Sequence, residues 1–385
     1  MALAMQSGLP REIVVVFFFL VFAPLRAQNP SEAIALQQAG RLPEAEQAWR
    51  QVVQQNPRDA EALASLGVVL SRQEKYGEAA SAYRKALALK PKLPGIQLNL
   101  GLAEFKQGRF PAALAPLAAA LKTEPQSMQA RTLLGMSYYG AKRFADASKH
   151  LEVAAKADPA NTELQHLLAQ SCLWAKKYTC AVEGFRKILQ QNPDSAPAHM
   201  LTGQALDGLG KTPEAIAEFH AAAQVAPREP NVNFGLGYLY WKQHQYDEAK
   251  VWFERELAVD PKHAQSLAYL ADIELKRDSP DTALPLLEKA VAANKDLRIA
   301  YVNLGAALMQ KKQYEEAMKA LRRAITLDPL QPDAHFRLGR LYQAMGNKAA
   351  AQKEFAKVRE LQQQKVEEDI VHTMSAAPPP LPGTK

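Results

Sequence analysis

Small residues, large apolar residues and prolines return along the chain at intervals of 34 residues, without insertion or deletion. An alanine marks each interval. A Gly or Ala stands twelve residues before it, a large apolar residue four residues after it, and a proline twelve residues after it in eight of ten intervals. The marking alanines are Ala45, Ala79, Ala113, Ala147, Ala181, Ala215, Ala249, Ala283, Ala317 and Ala351.

This spacing predicts a helical hairpin in every interval. Small residues let two helices approach closely, and a large residue four positions after the alanine lies on the same helical face. Proline ends the second helix because it lacks a backbone donor. A single hairpin leaves an apolar face exposed, so tandem hairpins are expected to stack into an all-α solenoid with a continuous core.

The pattern resembles the tetratricopeptide repeat, and residues 63–91, LASLGVVLSRQEKYGEAASAYRKALALKP, follow its consensus throughout. The resemblance implies a TPR-like α-solenoid (superhelix) of antiparallel helix hairpins, but it does not name a ligand. With the small residue placed at position 8 and the alanine at position 20, the ten repeats are 26–59, 60–93, 94–127, 128–161, 162–195, 196–229, 230–263, 264–297, 298–331 and 332–365.

Two repeats depart from the pattern. Glu256 replaces the usual alanine at position 27 of repeat seven, and Pro285 lies inside the second helix of repeat eight. We expect a local change of curvature near repeats seven to nine. The solenoid is expected to span 28–365, with 366–385 forming the end of the last helix and a disordered, Pro-rich tail, SAAPPPLPGTK.

The N-terminal segment predicts export. Arg11 precedes the apolar run 13–22, IVVVFFFLVF, which is too short to span a bilayer comfortably. A signal peptide over 1–27, cleaved after Ala27, is the favoured interpretation and places the protein in the periplasm or outside the cell. An uncleaved membrane anchor is the alternative.

Composition and motifs argue against an enzyme. The eight histidines form no HExxH pair, and neither a glycine-rich phosphate loop nor a GxSxG motif occurs. We therefore expect a protein without catalytic residues, cofactor or metal. Nucleic acid is not an expected partner for an exported chain, although the formal net charge is +7.

The resemblance implies a concave binding surface at positions 2, 5, 9, 12 and 13 of the first helices. These positions are unusually apolar here, which favours a groove for a protein or peptide partner. Packing between neighbouring first helices is the alternative role for each of these side chains. The candidates are Leu98, Leu102, Phe105, Met136, Tyr139, His166, Leu173, Trp174, Met200, Phe234, Tyr238 and Trp241.

A second candidate surface is a basic ridge at position 16 of the first six repeats. It would bind an anionic envelope surface, such as lipid head groups or acidic polysaccharide. The alternative is that each cation complements the dipole at the end of the first helix. The ridge comprises Arg41, Lys75, Arg109, Arg143, Lys177 and Lys211.

The only cysteines, Cys172 and Cys180, lie on opposite arms of hairpin five, close to its turn. Their spacing excludes a CxxC motif, and two thiols make a poor metal site. Either a disulfide pins this hairpin or the two are separate buried thiols. Two functions therefore stay open: a non-catalytic envelope scaffold that binds a peptide in the groove, and an adaptor that binds anionic polymer through the ridge.

Overall fold

The structure is a computed structural model that describes residues 30–376, with side chains described through residue 367. Its described residues form twenty α-helices and no strand. The first helices of the hairpins are α1 (Pro30–Gln38), α3 (Ala60–Arg72), α5 (Ile96–Lys106), α7 (Met128–Gly140), α9 (Thr162–Trp174), α11 (Ala196–Gly208), α13 (Val232–Lys242), α15 (Ala264–Lys276), α17 (Arg298–Gln310) and α19 (Pro332–Ala344). The second helices are α2 (Leu42–Gln55), α4 (Tyr76–Leu89), α6 (Phe110–Thr123), α8 (Phe144–Ala157), α10 (Tyr178–Gln191), α12 (Thr212–Val225), α14 (Tyr246–Val259), α16 (Pro280–Ala293), α18 (Tyr314–Leu327) and α20 (Lys348–Ala376).

The small residue at position 8 permits the close approach of the two helices, as the spacing predicts. A Cβ added to Gly237 would lie 2.6 Å from the Phe253 ring, and one added to Gly101 would lie 2.4 Å from Leu117. The alanines at position 20 are fully buried or nearly so. The predicted all-α fold of tandem hairpins is confirmed.

Every turn between the two helices of a hairpin contains one residue in the left-handed backbone region, at position 15 of its repeat. Four of these residues are glycine, which adopts positive φ without strain. The other six carry side chains and hold φ between 57° and 63°. The ten are Gly40, Glu74, Gly108, Lys142, Lys176, Gly210, His244, Asp278, Lys312 and Gly346.

The chain divides into two compact units, and the boundary falls between Ala157 and Asp158. In the first unit, one buried cluster runs from Ala33 to Ala103 and a second joins α6 to α7. In the second unit, a cluster from Ala169 to Leu239 is followed by smaller clusters around α14 to α19. Each cluster joins neighbouring hairpins, which is the pattern expected of repeats that bury their faces against one another.

The two departures from the consensus have different structural outcomes. Glu256 is buried and accepts hydrogen bonds from the backbone N–H groups of Asn231 (3.0 Å) and Phe234 (3.1 Å). It thereby caps α13, whose first residues lack a side-chain cap of their own. Pro285 lies within a continuous α16 of 14 residues, the length of every other second helix except α20, and the expected change of curvature stays a prediction.

The two ends of the chain are described only in part. The last helix runs past Gln363, as expected, and includes Ser375 and Ala376, which the sequence assigned to the tail. The rest of the Pro-rich tail and the predicted signal peptide lie outside the described residues. Within residues 30–376, no helix combines the length and apolar composition needed to cross a bilayer.

Candidate functional site: an aromatic face on α13 and α15

The predicted groove residues belong to both units. Leu98, Leu102 and Phe105 lie on α5 and Met136 and Tyr139 on α7, in the first unit; the remaining candidates lie in the second. Most are partly buried, whereas Trp174 is 52% exposed. Leu173 is an exception in the other direction: it is buried in the core cluster around Phe185, so its assignment to the groove is wrong.

In the first unit, the rings at position 12 pack against their own hairpins. Phe105 meets Phe110 edge to face at 5.6 Å between ring centroids, and Tyr139 meets Phe144 in the same way at 5.5 Å. Phe110 and Phe144 both occupy position 17, at the start of the second helix. These contacts close the hairpin, and burial raises the pKa of Tyr139.

In the second unit, the rings form a cluster that joins two first helices. Tyr269 on α15 lies 4.9 Å from Trp241, 5.7 Å from Tyr238 and 5.9 Å from Phe234, measured between ring centroids. The rings of Trp241 and Tyr238 also stack on each other at 6.1 Å. We call Phe234, Tyr238, Trp241 and Tyr269 the aromatic face. All four are partly exposed.

The sequence analysis missed Tyr269 because it occupies position 6, outside the five positions that the family resemblance assigns to the surface. Helical spacing alone could have identified position 6 as part of the surface. Position 6 follows position 2 by four residues and precedes position 9 by three, so it shares their face.

Two carboxylates border the aromatic face, and both are engaged in structural contacts. Trp241 donates its indole N–H to Asp272 at 2.8 Å, and Lys276 lies 3.5 Å from the same carboxylate. Lys242 donates to Asp207 at 2.7 Å, and this bond raises the pKa of Lys242. Neither acid pairs with the other, so the arrangement orients rings and does not form an acid–base pair.

Burial dominates the electrostatics of the face. It raises the pKa of Tyr269 to about 12, with smaller contributions from Tyr238 and Asp272. The phenol therefore stays neutral and acts through its ring and hydroxyl. Among the described residues, no cluster of three or more His, Cys, Asp or Glu side chains could hold a metal ion.

The six residues of the basic ridge are all exposed, four in the first unit and two in the second. Each directly precedes a second helix, whose positive N-terminal end disfavours a cation, so the predicted dipole benefit is incomplete. Three of them are neutralised by acids: Arg41 pairs with Glu44, Lys75 with Glu46, and Arg143 with Asp146. The bonds from Arg41 and Arg143 lower the pKa of Glu44 and Asp146.

Cys172 and Cys180 are joined by a disulfide, with their Cα atoms 5.8 Å apart. Cys172 lies on α9 and Cys180 in the first turn of α10. The bond therefore connects the two arms of hairpin five near its turn, where the Cα separation lies within the range that a disulfide needs. His166, another groove candidate on α9, meets Phe185 edge to face at 6.0 Å.

Comparison with known proteins identifies the class of this chain. Family models described as tetratricopeptide repeat match residues 31–94, 98–162, 138–205, 208–273 and 332–365, and a TPR repeat model matches 306–346. A model for anaphase-promoting complex, cyclosome, subunit 3 matches 242–324. The chain belongs to the tetratricopeptide repeat family.

Individual relatives match only part of the chain. Anaphase-promoting complex subunit 7 of Mus musculus is 31% identical over 140 residues, 36% of this chain and 25% of that protein. Type IV pilus assembly protein PilF of Pseudomonas aeruginosa is 30% identical over 133 residues, 34% of this chain and 50% of PilF. The match therefore spans a quarter to a half of the length of these relatives.

Among solved structures, the APC/C hetero-tetramer Cut9-Hcn1 aligns with 90% of this chain and 75% of its own, at a TM-score of 0.53 and 14% identity. At that identity the likeness concerns the fold alone. Membership of the family supports a scaffold for protein–protein interactions as the general function of the chain.

Proposed function

We propose that this protein is a non-catalytic scaffold that holds an extended peptide of a partner protein against the aromatic face. The observation that carries the proposal is the contact of four rings that still expose part of their surface. Aromatic side chains are favoured anchors at interfaces because they bury a large area with few rotatable bonds. Rings that are already ordered lose little entropy on binding.

The surroundings of the aromatic face suit a peptide. The Asp207–Lys242 pair and the Asp272–Lys276 pair lie beside the rings and supply both charges. An apolar centre with a polar border is the usual anatomy of a protein interface. Glu256 helps to position this surface because its hydrogen bonds fix the first turn of α13, which carries Phe234.

The proposed setting is the cell envelope, which rests on the predicted signal peptide over 1–27. The names of the relatives support a part in assembly, since PilF is a type IV pilus assembly protein and subunit 7 belongs to the anaphase-promoting complex. We infer that the chain helps to assemble a multiprotein complex. The alternative, binding of an anionic surface through the basic ridge, is less favoured because three of its six cations are already paired.

Site-specific photo-cross-linking tests the proposal even though the partner is unidentified. A photoreactive phenylalanine analogue would replace Tyr238 on the aromatic face, or Val251 on α14 as a control in the same hairpin; Val251 is 46% exposed. We expect a defined partner peptide to cross-link at position 238 and not at 251. Equal cross-linking at both positions would argue against the aromatic face.

The cross-linked peptide would then be synthesised and its affinity measured. Trp241→Ala should weaken binding at least about tenfold, as expected for an interface hot spot. Trp174→Ala shows whether the binding surface also includes α9. Unchanged affinity in Trp241→Ala, with an unaltered circular dichroism spectrum, would refute the proposal. A loss of affinity between low and moderate salt would favour the ridge instead.

A further inference from the structure

A cleft in the second unit, apart from the aromatic face, lies where α12, the following loop, the start of α13 and α14 meet. Its volume is about 480 Å³, and its lining includes His220, Gln224, Arg228, Asn233, Trp252 and Arg255. We call these six residues the edge cleft. Two arginines line it and no acidic residue does. None of the six belongs to the aromatic face.

One wall of the edge cleft is a fixed arrangement of rings. The guanidinium of Arg255 lies over Trp252, 4.2 Å from the ring centroid. His220 meets the same ring edge to face at 5.2 Å, and its Nε2 shares a hydrogen bond of 3.1 Å with the Tyr240 hydroxyl. Burial and the charge of Arg255 lower the pKa of His220, so its imidazole is neutral at neutral pH.

The same repeat positions elsewhere in the unit show that the edge cleft lacks an acidic partner for its arginine. Arg323 occupies the same repeat position as Arg255, position 26, and binds Asp296 at 2.9 Å and the carbonyl of Lys295 at 3.3 Å. Asp296 occupies position 33, where the edge cleft has Arg228. Arg323 therefore has an acidic partner within the chain. In the edge cleft, a second arginine, Arg228, occupies the position of that acid.

Neither Arg228 nor Arg255 has an ion-pair partner among the described residues. Both side chains are exposed, so solvent screens their mutual repulsion, and both remain available to attract an anion that enters the cleft. Arginine suits a carboxylate because its planar fork donates two parallel hydrogen bonds, and stacking on an aromatic ring holds that fork in place.

We propose that the edge cleft binds an acidic side chain of a partner polypeptide, separately from the peptide held on the aromatic face. The carboxylate lies between Arg228 and Arg255, and the neighbouring part of the bound segment packs on Trp252. A scaffold with two such surfaces holds its partner at two points, which increases effective affinity.

The test uses the full chain labelled with ¹⁵N and a short peptide with two glutamates, beside the same peptide with two glutamines. The chain contains four tryptophans, and the indole N–H signals of Trp241 and Trp252 report on the aromatic face and the edge cleft respectively. We expect the glutamate peptide to shift the Trp252 signal and leave that of Trp241 unchanged. Equal shifts with the glutamine peptide would overturn the proposal.

Matched variants identify the carboxylate site. Arg255→Gln should weaken binding of the glutamate peptide about tenfold or more. Arg323→Gln removes the same charge at the same repeat position and should leave this affinity unchanged. Arg228→Asp should abolish binding because it recreates the internal partner that Asp296 provides for Arg323. An equal effect of Arg323→Gln would show that only overall charge matters and would contradict the site.

Two further measurements separate the edge cleft from the aromatic face and from a lipid site. Trp241→Ala should leave the affinity for the glutamate peptide unchanged, so failure of the aromatic face and failure of the edge cleft are distinguishable. Vesicles of phosphatidylglycerol should not compete with the peptide at physiological salt. If they displace it and shift the Trp252 signal themselves, the edge cleft is a lipid site and the proposal is wrong.

Discussion

The rings at position 12 behave differently in the two units. Phe105 and Tyr139 in the first unit turn to position 17 of their own hairpins. Trp241 in the second unit meets Tyr269 of the next hairpin and binds Asp272 there. The same repeat position thus closes a hairpin in one unit and builds a shared surface in the other.

The difference shows that a repeat position does not by itself decide whether a side chain forms a binding surface. The neighbouring repeat decides it. Where position 6 of the next repeat supplies a ring and position 9 supplies an acceptor, as Tyr269 and Asp272 do, the ring at position 12 becomes part of a cluster between hairpins.

Removing the shared ring should have the largest effect. We expect Tyr269→Ala to lower the free energy of unfolding by about 3 kcal/mol, because large aromatic truncations leave a cavity and forfeit ring contacts. Phe105→Ala should cost less, since Phe105 has one ring partner. Urea denaturation followed by circular dichroism measures both. Equal losses would remove the distinction between the two units.

The cap beneath the aromatic face should have an intermediate effect. Glu256→Ala leaves two backbone N–H groups of α13 without their acceptor, and we expect a loss of about 1–3 kcal/mol. Glu256→Gln keeps one acceptor oxygen and should fall between the wild type and the alanine variant. Hydrogen exchange at Asn231 and Phe234 locates the change. Unchanged exchange there would show that the carboxylate does not cap α13.

Around neutral pH the smallest effect is expected from the ionisation of Tyr269, which lowers stability only at high pH. The pKa of Tyr269 is raised to about 12, and an unfolded tyrosine ionises near about 10. Between these values the folded state holds a proton that the unfolded state has lost, so stability is complete below pH 10 and falls as the pH rises towards 12.

Tyr269→Phe should reduce the fall in stability between about pH 10 and pH 12. In a titration followed by absorbance at 295 nm, the variant should lack one of the tyrosines that ionise at the highest pH. Tyr139→Phe, in the first unit, is the control. If both variants change the slope equally, Tyr269 has no special environment.

The fold followed from the sequence because one short pattern recurs ten times in register. Gly237 against Phe253 and Gly101 against Leu117 are contacts that the spacing of positions 8 and 24 already implies. The division between Ala157 and Asp158 did not follow, because the repeat pattern continues across it without a change of length.

The candidate site was predictable in part. Phe234, Tyr238 and Trp241 followed from the family positions, whereas Tyr269 depends on which faces of α13 and α15 meet. The edge cleft was not predicted from the sequence, because Arg228 and Arg255 come from successive repeats. Their lack of an acidic partner became evident only after comparison with the Asp296–Arg323 pair at the same repeat positions.

The left-handed residue in each turn has a consequence for protein engineering. A residue with a side chain in that conformation destabilises the folded state by roughly 1–2 kcal/mol. Glycine removes this strain, but its greater loss of backbone entropy on folding offsets part of the gain. Lys142 and Lys312 lie in this region, as do four other residues with side chains. Glycine at these six turns would raise heat tolerance in independent increments, and neither binding surface would change in composition.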